Sequence, residues 1–303
     1  MQSPTSSPIG KRGINQLRTL ALLALLSGLL VALGYWVIGG ATGIFIGLGF
    51  AAIGNLGSWY YSDKIALRTY RAQPVTPSQA PGIYSIVEQL SQEAEIPTPA
   101  LYIIPGPGAN AFATGRDPSH AAVAVTEGIV NLLSPEELAG VIGHELTHIV
   151  NRDTLTQAVA ATLGGAISSL AYMAQWASYG MAYDREHRNA PNPLGLLLAI
   201  LLAPLAATLI QMGISRAREF EADAGAARLT RNPRALASAL HKLELTARQL
   251  PLQGNPAFEP LLIVNAFSGQ GLASLFATHP PTEQRIARLL ALEPEQARVS
   301  AFF

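Results

Sequence analysis

The stretch Gly143-His144-Glu145-Leu146-Thr147-His148 decides how the rest of this chain must be arranged. It has the pattern H-E-x-x-H. On a helix, His144 and His148 lie one turn apart on the same face, so both imidazoles can reach one metal ion. Glu145 is offset by about 100° around the helix, which places it beside such a metal. There it can take a proton from a water without being a ligand itself.

Local signals predict that this stretch is helical. Ser134 suits the N-cap, Pro135 suits the first helical position, and Glu137 completes a capping box. Apolar residues then recur at helical spacing, at Leu138, Val141, Ile142 and Ile149. The five-letter pattern also occurs by chance, and zinc hydrolases need three protein ligands with one position left open. The zinc interpretation therefore depends on a third ligand elsewhere.

The candidate third ligand lies in the segment Ser215-Arg216-Ala217-Arg218-Glu219-Phe220-Glu221-Ala222-Asp223. Glu219 and Asp223 are four residues apart and share a helix face, whereas Glu221 points elsewhere. We interpret Glu219 as the ligand and Asp223 as the carboxylate that orients a ligand histidine. Taken alone, the segment is more simply an exposed helix with i,i+4 ion pairs. Beside the histidine motif, the metal interpretation is favoured.

Three motifs, in this order, resemble the HtpX-type membrane metalloproteases of peptidase family M48. They are the helix motif with Asn151-Arg152-Asp153, the segment 215–223, and His279-Pro280-Pro281-Thr282-Glu283-Gln284-Arg285-Ile286. The match covers nearly the whole chain. It implies a mainly α (α+β) fold, in which a gluzincin-like helical metalloprotease domain with a small β-sheet is joined to hydrophobic helical hairpins.

The resemblance also implies roles for individual residues. One Zn2+ per chain would be held by His144, His148 and Glu219, with Glu145 as the catalytic acid/base. His279 and Arg285 would face the zinc, where both would help to stabilise the oxyanion of the tetrahedral intermediate. Arg285 has an alternative role, which is to hold a structural carboxylate such as Asp223 or Asp153.

The implied activity is cleavage of misfolded or damaged membrane proteins, or of unfolded polypeptides, on the cytoplasmic side of a bacterial-type plasma (inner) membrane. Two alternatives stay open. One is a processing protease with a narrow substrate, like the related prenyl-protein endopeptidases, and the other is a non-catalytic membrane scaffold that retains the motif. The chain has at most four candidate membrane spans, which argues against the first alternative. Glu145 is intact although a scaffold does not need it, which argues against the second.

Composition narrows the class of protein further. The chain has 303 residues, a formal net charge of +0 and only 13% charged residues. No basic or acidic excess suggests a nucleic-acid partner. It contains no cysteine, so any metal ligand must be His, Asp or Glu. The lack of disulfides fits a catalytic part that faces the cytoplasm.

The N-terminal region predicts a membrane hairpin. Residues 1–15 are interpreted as a flexible tail and 16–62 as a transmembrane hairpin, because no charged residue occurs between Thr19 and Ser62. The turn lies at Gly39–Gly43. Basic residues flank both ends and are absent from the turn, so the positive-inside rule puts both flanks in the cytoplasm. A cleaved signal peptide is disfavoured, since the apolar run is too long and a second span follows directly.

A second hydrophobic helical hairpin is predicted at 154–215, inside a metalloprotease domain that covers 63–303. The stretches Thr154–Tyr183 and Asn189–Ser215 carry no charge. His148 and Glu219 must lie on one side of the membrane to share a zinc, so the chain between them crosses twice or not at all. Two crossings would place the site close to the bilayer surface. The alternative is a buried hairpin that never crosses.

A small sheet is predicted beside the zinc helix. Strands are expected at Leu101–Ile104 and at Ala121–Thr126, with turns at 106–113 and 115–118 between them. An edge strand there can pair with an extended substrate backbone. Asn110 and Ala111 are the candidates for lining that substrate groove, although a turn asparagine is the simpler interpretation of Asn110.

Overall fold

The fold is mainly helical with a small mixed sheet, as the sequence predicts. The computed structural model describes residues 17, 19–25, 27, 28, 30, 31, 35, 40–162, 216–250, 261–264 and 280–293. Its helices are α1 (Gly40–Thr69), α2 (Pro81–Glu93), α3 (Glu127–Leu132), α4 (Pro135–Asn151), α5 (Arg216–Thr230), α6 (Pro233–Gln249) and α7 (Thr282–Ala291). A further helical stretch covers 153–162. The strands are β1 (Gln73–Pro74), β2 (Ala100–Ile104), β3 (Ala111–Gly115) and β4 (Ala121–Thr126).

The four strands form one sheet in the order β1-β2-β4-β3. Strands β2 and β4 are parallel, whereas β3 runs antiparallel to β4 and lies at an edge. Both predicted strands, β2 and β4, are confirmed. The prediction of a turn over 106–113 is wrong at its end, because β3 begins at Ala111. Small residues and a glycine give β3 weak local strand signals, and the pairing of its whole length with Ala121–Val125 of β4 determines its structure.

Helix α4 lies at the centre of the domain, between the sheet and helices α5 and α6. Its capping box is confirmed: Ser134 Oγ accepts from the Glu137 N–H at 3.3 Å, and Glu137 Oε2 accepts from the Ser134 N–H at 2.9 Å. The core around it contains Val123, Ile142, Leu146, Leu236 and Leu240, all fully buried. A buried, well-capped α4 fixes the direction of the histidine side chains that it carries.

Glycines let α5 approach α4 closely. A Cβ added to Gly225 would lie 2.3 Å from Thr147 Cγ2, which is closer than atoms can pack. A Cβ on Gly143 would lie 3.4 Å from Ala226 Cα. Thr147 lies between the two histidines of the motif, so the same close contact brings Glu219 on α5 near them.

Gly225→Ala is therefore expected to force α5 away from Thr147. Overpacking of this kind costs about 1–3 kcal/mol of unfolding free energy and should also weaken metal binding. Thermal unfolding and zinc content of the detergent-purified chain measure both effects. Gly82→Ala is the control, because nothing lies within 4 Å of a Cβ at that helical position. Equal unfolding temperatures for the two variants would contradict the close-contact argument.

Helix α1 is long and apolar enough to cross a membrane, with 30 residues and no charged side chain before Asp63. One face carries small buried residues, Gly43, Gly47, Ala51, Ser58, Ser62 and Ala66. Large apolar side chains on the other faces are exposed, among them Phe45, Phe50, Ile53 and Leu56. This division is typical of a helix that packs through small residues and shows the rest to lipid.

The small face of α1 meets helical residues nearer the N-terminus. Asn55 Nδ2 donates to Ser27 Oγ at 2.8 Å, and a Cβ on Gly47 would lie 2.6 Å from the Leu30 carbonyl oxygen. Gly47 comes before Asn55 on α1, whereas its partner Leu30 comes after Ser27 on the N-terminal segment. The two segments therefore run antiparallel. Of the predicted hairpin at 154–215, only residues 154–162 are among the described residues, and residues 163–215 lie outside them.

Candidate active site

Three side chains converge on one buried point between α4 and α5. His144 Nε2 and His148 Nε2 lie 3.2 Å apart. Glu219 Oε2 lies 3.6 Å from His144 Nε2, and Glu219 Oε1 lies 3.6 Å from His148 Nε2. One donor atom from each residue falls within 4.8 Å of the others. The structure thus brings together the three residues predicted as metal ligands.

Each histidine contacts a buried carboxylate through its other ring nitrogen. Asp223 Oδ1 lies 2.9 Å from His144 Nδ1, and Asp153 Oδ2 lies 3.1 Å from His148 Nδ1. A carboxylate on Nδ1 holds the proton there and leaves Nε2 free to bind a cation. Asp223 lies where the sequence predicts it. The position of Asp153 beside His148 was not predicted, and its only sequence signal is its place in the Asn151-Arg152-Asp153 motif.

Arg285 contacts Asp223, which agrees with the second of its two predicted roles, the holding of a structural carboxylate. Its Nε and Nη2 donate to the two oxygens of Asp223 at 2.9 and 2.7 Å, and Nη1 donates to the Ile263 carbonyl at 2.7 Å. The side chain is 1% exposed. Nη2 is also 3.4 Å from His144 Nδ1, so Arg285 reaches the site through Asp223 and His144.

The pKa values of this group follow from burial and pairing. Burial raises the pKa of Asp223, but the charge and hydrogen bonds of Arg285 outweigh it and hold that pKa at about 2. Burial lowers the pKa of His144, but its hydrogen bonds to Asp223 and Glu219 outweigh it and raise that pKa to about 9. A cation on Nε2 must compete with the proton, so metal binding should weaken as the pH falls.

Glu145 lies beside the three convergent side chains and is buried. Its Oε2 accepts a hydrogen bond from the Ala113 N–H on β3 at 2.7 Å. Burial raises the pKa of Glu145, and its interactions with His144 and His148 oppose that rise only in part. A carboxylate with a raised pKa is a stronger proton acceptor, which suits a general base.

The charges of the site fit a divalent cation. Four buried carboxylates surround the convergent point and two buried guanidiniums neutralise part of their charge: Glu145, Asp153, Glu219, Asp223, Arg218 and Arg285. With both histidines neutral, as they must be when they bind a metal, two negative charges remain in excess. Burying unbalanced charge is costly, and a divalent cation would balance it. Two imidazole nitrogens and one carboxylate are also the ligand set of many catalytic zinc sites.

The edge of β3 that faces away from β4 runs past this site. The Thr126 N–H donates to the Asn110 carbonyl at 3.0 Å, which starts the alternating bonds to β4. By that alternation, the next residue and every second one after it direct their backbone groups away from β4. These residues are Ala111, Ala113 and Gly115.

Asn110 and Ala111 contact a neighbouring segment in the structure. The Ile263 N–H donates to the Ala111 carbonyl at 3.1 Å and to Asn110 Oδ1 at 3.0 Å, and Asn110 Nδ2 donates to the Val264 carbonyl at 3.1 Å. Asn110 is fully buried by these contacts. A substrate would reach both residues only if residues 263–264 moved aside, so their place in a substrate groove stays a prediction. His279 lies outside the described residues.

A family model described as Peptidase family M48 matches residues 77–293. The chain belongs to peptidase family M48. It is 63% identical over 281 residues to the "Protease HtpX homolog" of Nostoc punctiforme, covering 93% of this chain and 97% of that one. The "Protease HtpX homolog" of Thermococcus kodakarensis is 49% identical over 280 residues, covering 92% and 96%. The predicted resemblance to HtpX-type proteases is therefore confirmed, and the chain is a membrane protease.

Among solved structures, the chain is similar to the crystal structure of S. mikatae Ste24p. The alignment has a TM-score of 0.47 and 18% sequence identity, and it covers 93% of this chain and 67% of that one.

Arg285→Gln is expected to destabilise the folded chain strongly, because it leaves the Asp223 carboxylate buried without its charged partner. Breaking a buried pair in this way costs about 3–5 kcal/mol. Thermal unfolding of the purified chain measures the loss. Arg231→Gln is the control, since the pair between Arg231 and Glu93 is exposed and such pairs contribute about 1 kcal/mol or less. Equal losses in the two variants would contradict the buried-pair argument.

Proposed function

We propose that this chain is an integral-membrane zinc endopeptidase that hydrolyses peptide bonds in misfolded or damaged membrane proteins. The observation that carries this proposal is the convergence of His144, His148 and Glu219, with Glu145 beside them. All four side chains are buried. One Zn2+ per chain is proposed as the ion, since two imidazole nitrogens and one glutamate carboxylate beside an H-E-x-x-H glutamate form the ligand set of catalytic zinc hydrolases.

The residues of the site have separate tasks in this proposal. When bound, zinc lowers the pKa of a water towards about 7 and polarises a carbonyl group. Glu145 takes the proton of the attacking water and then delivers it to the leaving amine. Asp223 keeps the proton of His144 on Nδ1, and Arg285 keeps Asp223 ionised. His279 is proposed to help stabilise the oxyanion, on the family resemblance alone.

The substrate is proposed to bind as an extended strand along the edge of β3 that faces away from β4, where the structure shows no partner for the Ala113 carbonyl among the described residues. The outward carbonyl of Ala113 is close to the site, because the N–H of the same residue bonds Glu145. Pairing to such an edge supplies backbone hydrogen bonds without sequence preference, which suits a protease for unfolded segments. Ala111 and Asn110 extend this groove if residues 263–264 move aside.

The C-terminal end of β3 lies beside α1, the candidate membrane helix. This position supports the proposal that substrates reach the site from the bilayer. The Arg116 guanidinium lies over the Tyr60 ring of α1, 5.0 Å from its centroid. The neighbouring Trp59 and Tyr61 are exposed, and such aromatic clusters prefer the headgroup layer. Thr154 Oγ1 donates to the Gly115 carbonyl at 2.9 Å and holds this end of the strand.

The proposed organisation follows from the hydrophobic pattern. Residues 1–15 form a tail, 16–62 a transmembrane hairpin, and 63–303 the protease domain, interrupted by a hydrophobic hairpin at 154–215. Basic residues on both flanks of the first hairpin support a cytoplasmic catalytic domain in a multi-pass protein of the plasma (inner) membrane. The antiparallel contacts of Asn55 and Gly47 support the hairpin itself.

The test is cleavage by the full chain reconstituted in lipid vesicles. Substrates would be casein, a folded membrane protein and a destabilised variant of that membrane protein. We expect cleavage of casein and of the destabilised variant, its loss on treatment with a zinc chelator, and its return with added zinc. Cleavage of a single processing substrate only would favour the narrow-substrate alternative. Stoichiometric zinc with no cleavage of any substrate would favour the scaffold.

A further inference from the structure

We propose that Asp153, paired with Arg218, is the positioning residue that orients His148 towards the metal. This inference rests on the proposed zinc site and extends it to two residues outside the ligand set. Asp153 is 1% exposed, and its Oδ2 lies 3.1 Å from His148 Nδ1. A buried carboxylate at that distance fixes the tautomer and the rotation of the imidazole ring.

The backbone makes a costly turn to place Asp153 there. Helix α4 ends at Asn151, and Arg152 adopts a left-handed conformation with φ 58° and ψ 37°. For a residue other than glycine this costs about 1 kcal/mol or more. After this turn the next helical stretch begins at Asp153. The Asp153 carboxylate is thereby directed back to His148, five residues earlier.

Arg218 links Asp153 to the helix that carries the third ligand. Its Nη1 lies 3.8 Å from Asp153 Oδ1, and both side chains are buried. Because Arg218 precedes Glu219 on α5, the same helix supplies the third ligand and a cation for Asp153. The same types of residue occur at His144, where Asp223 contacts Nδ1 and Arg285 pairs with Asp223. The pair at His144 is tighter, with two hydrogen bonds of 2.7 and 2.9 Å against one contact of 3.8 Å between Arg218 and Asp153.

The contacts of Asp153 with His148 and Arg218 predict how each substitution changes the affinity for zinc. Asp153→Asn keeps the size and an oxygen acceptor but removes the negative charge that makes the imidazole a stronger ligand. Loss of such a carboxylate partner typically weakens metal binding about 10- to 100-fold. Asp153→Ala also frees the ring to rotate and should weaken binding more. Arg218→Gln should act in the same direction as Asp153→Asn, and Arg218→Lys should recover part of the loss.

The experiment measures the zinc dissociation constant of the full detergent-purified chain by competition with a chromophoric chelator, and thermal unfolding of the same samples with and without zinc. Asp117→Asn is the matched control, because Asp117 pairs with the exposed His120 at 2.9 Å, away from the site. We expect Asp153→Asn to weaken zinc binding at least tenfold and to reduce the stabilisation that zinc provides, while Asp117→Asn changes neither.

Two results would overturn the inference, and they are distinguishable. If wild type binds one zinc and Asp153→Asn binds it equally tightly, Asp153 has only a structural role, even if the variant unfolds at a lower temperature. In that case the proposed zinc peptidase stands. If wild type itself binds no zinc, the positioning role and the proposed function fail together.

Discussion

Glu145→Gln is expected to keep the bound zinc and the fold and to lower kcat/KM for peptide hydrolysis at least about 10²-fold, the usual contribution of a general acid–base group. The amide has nearly the same shape, and its oxygen can still accept the hydrogen bond from the Ala113 N–H. It cannot take a proton from the attacking water. Fluorescent casein cleavage and metal analysis on the same purified sample measure both quantities.

The control for Glu145→Gln is Glu88→Gln, an equal change of charge on the exposed side of α2. It should leave cleavage and zinc content unchanged. Full activity of Glu145→Gln, in a preparation free of other proteases, would contradict the assignment of Glu145 as the general base. Loss of zinc from that variant would instead mean that Glu145 helps to hold the metal.

Glu219→Ala is expected to lose the metal and the activity together. Structural zinc in zinc-finger peptides is bound with about 10–16 kcal/mol over four ligands, so removal of one ligand here should weaken binding on the order of 10²- to 10³-fold. The loss should be large here, because the carboxylate lies 3.6 Å from both Nε2 atoms and no cysteine can replace it. Zinc content after dialysis against a weak chelator measures the effect.

The control for Glu219→Ala is Glu221→Ala, two residues further along α5. Glu221 is not among the residues that converge on the site, so its removal should leave zinc content unchanged. If Glu219→Ala still held zinc as tightly as wild type, Glu219 would not be the third ligand. Glu221 or Asp223 would then have to be reconsidered as the third ligand.

The parts of the site that lie on regular helices could be predicted from the sequence. The i,i+4 spacing of His144 and His148 fixes their common face once α4 is a helix, and the capping box makes it one. The four-residue spacing of Glu219 and Asp223 works in the same way on α5. Such predictions need only the period of the helix and the chemistry of the side chains.

The parts that depend on tertiary contacts could not be predicted. Asp153 reaches His148 only because Arg152 takes a left-handed conformation, which an arginine in the sequence does not signal. Strand β3 exists because β4 pairs with it along its full length, although its small residues are weak strand formers. The hydrogen bonds of Asn110 to residues 263–264 join positions more than 150 residues apart, beyond the reach of any local pattern.

The central claim is that two histidines and one glutamate of this chain hold a zinc ion. X-ray absorption at the zinc edge of the detergent-purified chain tests it most directly. The account predicts one zinc per chain, with two imidazole nitrogens at about 2.0–2.1 Å and carboxylate or water oxygens at about 2.0–2.2 Å. Replacement of His148 by alanine should lower the zinc content, and any zinc retained should show a smaller imidazole contribution. A zinc content of wild type far below one per chain, or a His148→Ala variant with unchanged zinc content and an unchanged spectrum, would contradict the claim.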